Sequence, residues 1–77
     1  MECVYVLIET DAGELENVVA ELKKKEGVKE VSAITGPFDV IAKIETEHIT
    51  EALQTIVHEI RKIKGVKSTE TLVCIKL

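Results

Sequence analysis

The chain has 77 residues, a net charge of −4, two cysteines, one Tyr and one Phe. This length allows one domain. The acidic balance argues against a phosphate-gripping surface, and two aromatics make no base-stacking platform.

The first predicted element is a strand over residues 3–10, "CVYVLIET", almost continuously apolar and rich in β-branched residues. Its two faces are both apolar: Val4, Val6 and Ile8 on one, Cys3, Tyr5 and Leu7 on the other. A turn, "TDAGE", leads into a helix from Glu14, whose stripe is Leu15, Val18, Val19 and Leu22. Acids near its start and Lys23, Lys24 and Lys25 at its end suit the helix dipole, and Gly27 stops it. The lysine run reads as the solvated end of a helix.

A second strand spans 28–35 and is broken by Gly36-Pro37. A third spans 38–45, with Phe38, Val40, Ala42 and Ile44 on one face. A second helix covers 48–63 along the stripe Ile49, Leu53, Ile56, Val57 and Ile60, and Gly65 ends it. The last strand runs over 66–76. "LKKKEGVKEV" at 22–31 echoes "IRKIKGVKST" at 60–69, and "IET" occurs at 8–10 and 44–46. Two similar βαβ halves imply an α+β, ferredoxin-like βαββαβ sandwich. The antiparallel sheet order is 4-1-3-2, with both helices on one face. The doubly apolar first strand then needs a cover on the open face. A second copy of the chain is the simplest one, giving a sheet-to-sheet homodimer.

No catalytic or metal-binding constellation emerges. His48 and His58 lie ten apart on one predicted helix, and no CxxC or HxxxH occurs. Cys3 opens the first strand and Cys74 closes the last, on neighbouring strands of this sheet. They are read as small buried hydrophobes and free thiols, not as a bridge, a metal pair or a redox pair. No run of about 20 apolar residues and no secretion signal occurs, so the expected setting is cytoplasmic, away from membranes. No cofactor is expected.

The remaining feature is "TGPFDVIAKI", residues 35–44. Gly36 permits a positive φ or close backbone approach, and Pro37 fixes one dihedral and removes a donor. The turn projects Phe38 and Asp39 from one end of the sheet. Asp39 either caps its own turn or meets an ammonium group while backbone N–H groups hold a carboxylate. The second reading matches the two charged ends of a free amino acid.

With those residues in view, the whole chain resembles the effector-sensing RAM (regulation of amino-acid metabolism) domain of the Lrp/AsnC transcription regulators. The matching stretches are Thr35-Gly36 followed by Phe38-Asp39, and Lys64-Gly65-Val66 followed by Ser68-Thr69-Glu70-Thr71. The resemblance covers one domain, 1–77, with no helix-turn-helix, as in a stand-alone sensing domain without direct nucleic-acid binding. It implies a dimeric α/β barrel that assembles to an octamer, and a small amino acid bound near dimer–dimer contacts. It also implies that Gly36, Pro37, Phe38 and Asp39 form the ligand loop, with Thr69 and Thr71 supplying hydroxyls. The partner would be the amino acid itself, and full-length Lrp/AsnC-type regulators if the chain joins them. Two alternatives remain open at this point. One is a small dimeric α/β barrel enzyme, hinted at by Asp39 and Lys43 on one face of the third strand. The other is an ACT-like regulatory domain, whose glycine-bearing turn has a partial counterpart in "TDAG".

Overall fold

Alternation along the first strand is written directly into its burial. In the computed structural model, which describes residues 1–77, Val4, Val6 and Ile8 are removed from solvent while Cys3, Tyr5 and Leu7 between them are half-buried. The elements are β1 (Glu2–Thr10), α1 (Leu15–Lys23), β2 (Val28–Ala33), β3 (Val40–Thr46), α2 (Ile49–Arg61) and β4 (Val66–Val73). The sheet order is β2-β3-β1-β4, antiparallel throughout, which is the expected 4-1-3-2 read from the other edge.

Register puts apolar partners in rows on the helix-covered face. Val4 pairs Ile44, Val6 pairs Ala42 and Ile8 pairs Val40 across β1 and β3. The rows extend to Val28, Val31 and Ala33 on β2, and to Val73, Thr71 and Thr69 on β4. Directly opposed residues share a face, so Thr69 and Thr71 lie on the helix side of an edge strand. Helix α1 lies over β2 and β3, and α2 over β4 and β1. Their buried residues are Val18 and Leu22 on α1, and Ala52 and Ile60 on α2, joined by Ile63 beyond the helix end. Each large aliphatic buried here contributes about 1.5–3 kcal/mol relative to exposure.

Several boundaries differ from the sequence reading. β3 begins at Val40, leaving Phe38 and Asp39 in the connection before it. β4 stops at Val73 because its partner β1 is running out, and only Cys74 N–H to Cys3 C=O continues the ladder, at 3.0 Å. α2 buries Ala52, whereas the expected Leu53 is 37% exposed, and Leu15 at the start of α1 is 38% exposed. Both stripes are narrower than expected because each helix covers only two strands.

The two cysteines are not the free thiols expected from the sequence. Cys3 and Cys74 form a disulfide, with Cα atoms 5.4 Å apart and neither residue fully buried. The Val4–Val73 pairing sets the next residue of each strand directly opposite the other, within the separation a disulfide spans. Sequence alone placed the two strands side by side but did not fix this register.

The joint between β1 and α1 is fitted against the loop before β4. Asp11 N–H donates to the Gly65 carbonyl at 2.8 Å, and Asn17 Nδ2 donates to the Lys64 carbonyl at 3.0 Å. Gly65 has φ +99°, and a Cβ there would run into Glu14 Cβ. Gly65→Ala therefore combines a left-handed penalty with overpacking. It is expected to cost about 2–4 kcal/mol, read as a lower urea midpoint with an unchanged slope.

Candidate functional site

Gly36 sits at φ +121°, a region open to glycine, and a Cβ at this position would meet nothing within 4 Å. The residue is required for its dihedral rather than for close packing. Gly36 and Pro37 are exposed, and Phe38 and Asp39 half-buried. The turn carries the chain away from β1, so β1–β3 pairing ends at Ile8 and Val40. The N–H of Thr10, further along β1, would then face the missing part of the ladder.

Asp39 closes that gap. Its carboxylate Oδ2 accepts from Thr10 N–H at 2.8 Å and from Thr10 Oγ1 at 3.3 Å. Its own N–H donates to the Ile8 carbonyl at 2.9 Å, and its carbonyl accepts from Ile34 N–H at 2.8 Å. Asp39 thus does not cap its own turn. It replaces a backbone acceptor for a strand 29 residues away in sequence. Both bonds from Thr10 fall on one carboxylate oxygen, and Oδ1 is left without a protein partner and not fully buried.

Thr69 occupies the same row as Ile8 and Val40, one strand beyond β1, and Thr71 occupies the Val6 row. Two strand spacings, about 9–10 Å, separate the Thr69 row position from β3. Gly36 to Asp39 and the two threonines therefore flank the end of β1 without lining a common cavity in the single chain. A pocket of about 300 Å³ lies elsewhere, between the end of α1 and the start of α2, beside Glu26, Glu45, His48 and Glu51. No three His, Cys, Asp or Glu side chains converge as a metal set. Lys43, the suggested enzymatic companion of Asp39, is engaged instead by Glu45 at 3.6 Å and Glu30 at 3.8 Å. It also stands 5.9 Å from the Tyr5 ring centroid on the open face.

Thr10 is the residue that sequence reading missed. The recurrence of "IET" marked it, but only the strand pairing shows that it faces the acid. A threonine ending a strand, with an acid at the mouth of the neighbouring strand, is the signal.

The fold and this sheet-end acid define a ferredoxin-like α/β sandwich with a carboxylate held at a loop-bearing end of the sheet. A family model described as the Lrp/AsnC ligand binding domain matches residues 3–77, and the chain belongs to that family. It is 35% identical over 72 residues to the HTH-type transcriptional regulator FL11 of Pyrococcus abyssi, covering 94% of this chain and 47% of that protein. A 51-residue stretch, 66% of the chain, is 47% identical to 11% of a homocitrate synthase from Sulfolobus acidocaldarius. The chain thus spans under half the length of these relatives. Among solved structures, FFRP-DM1 superposes with a TM-score of 0.88 at 32% identity, covering 97% of this chain and 100% of that one. A feast or famine regulatory protein from M. tuberculosis, complexed with L-methionine, shares the fold with a TM-score of 0.82 at 18% identity. That match covers all of this chain and 52% of the other.

Proposed function

We propose that the chain is an amino-acid-sensing module that works as a homo-oligomer by a binding equilibrium and not by turnover. The observation that carries this reading is the Asp39 carboxylate, presented by the Gly36–Phe38 turn at the end of the sheet in a chain of the Lrp/AsnC ligand-binding family. The ligand's ammonium meets Asp39, and backbone N–H groups of the turn meet its carboxylate. Gly36, Pro37 and Phe38 shape the loop, and Thr69 and Thr71 supply hydroxyls. Because the single chain keeps these groups apart, a second copy completes the pocket. The M. tuberculosis protein that shares this fold holds L-methionine, which supports the ligand class.

The open face supports the assembly. Cys3, Tyr5, Leu7 and Ile41 are half-buried with no helix above them, and Leu72 is exposed beside them. A second sheet would cover them, giving a dimer that assembles further to an octamer. Ligand between dimers then favours one assembly state over another, which is the physical content of sensing here. The setting is cytoplasmic, and no helix is long and apolar enough to cross a membrane. The partner is a full-length Lrp/AsnC-type regulator or a second copy, without direct contact to nucleic acid. The stretch shared with homocitrate synthase favours a second context, in which such a module accompanies an enzyme without performing its chemistry.

The test combines light scattering with melting curves in the presence of each of the twenty proteinogenic amino acids, taken singly. At least two chains per particle are expected, with a raised melting temperature for one or a few amino acids. A monomer of 8.5 kDa indifferent to all of them would overturn the reading.

A further inference from the structure

We infer that Thr10 is a positioning residue for the ligand's ammonium, and that Asp39 offers the ligand one carboxylate oxygen only. This rests on the amino-acid-binding reading above and extends it to a residue outside the loop.

Asp39 has almost all of its hydrogen-bonding groups engaged within the chain. Its N–H is taken by Ile8, its carbonyl by Ile34, and Oδ2 by both the N–H and the hydroxyl of Thr10. Two backbone bonds fix its Cα between β1 and the end of β2. Two further bonds to a single oxygen fix the carboxylate's rotation. What remains is Oδ1, an acceptor with no partner among the chain's side-chain hydrogen bonds. Ordering of this side chain is complete before any ligand arrives, so binding does not have to supply it. A group with one free acceptor suits a primary ammonium, which donates through a compact, rotatable head. It offers no paired fork for a guanidinium, which prefers two oxygens.

Thr10 sits at a register irregularity: the β1–β4 pairing shifts between Glu9 and Thr10. The extra residue is Lys67 on β4, so β1 itself runs on without an insertion, and the backbone N–H and hydroxyl of Thr10 converge on one atom.

Calorimetric titration of the intact protein settles the point, using each of the twenty amino acids and the N-acetyl derivative of any that binds. Thr10→Val keeps the shape and the N–H but removes the hydroxyl. It is expected to weaken amino-acid binding about 3- to 10-fold, with Thr10→Ser restoring most of it. The N-acetyl derivative, lacking the ammonium, is expected not to bind wild type. Equal affinities in wild type and Thr10→Val, with amino-acid binding intact, overturn the positioning role and leave the sensing reading standing. An N-acetyl derivative that binds as well as its parent overturns the ammonium assignment. Failure of every amino acid to bind wild type overturns both readings together.

Discussion

Reduction of the Cys3–Cys74 bridge is expected to lower the melting temperature by roughly 15–30 °C. The two cysteines are 71 residues apart, so the cross-link restrains nearly the whole unfolded chain. In the chain-entropy account, a loop of this length is worth about 4 kcal/mol. A domain of this size shifts by about 4–8 °C for each kcal/mol. The bridge also ties the last rung of the β1–β4 ladder, where Cys74 N–H meets the Cys3 carbonyl at 3.0 Å, at the end of an edge strand. Melting curves with and without dithiothreitol measure the effect. Cys74→Ser should melt at the reduced wild-type temperature and no longer respond to reductant. Identical wild-type curves in the two conditions would return both cysteines to the free thiols that the sequence suggests.

Asp39→Asn is expected to weaken amino-acid binding about 10- to 100-fold while leaving the ligand-free melting temperature nearly unchanged. Asparagine retains an oxygen to accept from Thr10, so the strand end stays closed. The amide group then occupies the place of Oδ1 and presents donors to the ligand's ammonium, replacing a charge-assisted bond by a like-sign contact. Asp39→Ala separates the residue's two roles. It removes the acceptor for Thr10 N–H as well, and should lower stability by about 1–3 kcal/mol in addition to the affinity loss. Calorimetric titration and melting curves on the two variants read the roles apart. An Asn variant that binds as tightly as wild type would reduce Asp39 to closing the strand end.

Much of this molecule was legible in its residues because local rules and global packing agree. The period-two pattern of Val4, Val6 and Ile8, the helical stripes, and the repeated Gly-Val-Lys after each helix determined the element order, the sheet order and the covered face. Gly36 and Pro37 were identifiable as a turn that sets Asp39 at the mouth of a strand, since turn chemistry explains Gly-Pro ahead of an alternating strand. What a neighbouring strand decides was not legible. Leu53 and Leu15 fit their stripes, yet each helix spans only two strands and leaves them partly exposed. The cysteines became a bridge through the pairing of Val4 with Val73, because a shift of one residue would turn one thiol to the opposite face. Asp39 met Thr10 because β3 leaves the ladder one rung before β1 has spent its donors. That is a relation between residues 29 apart in the chain, which no local period encodes and only the folded sheet creates.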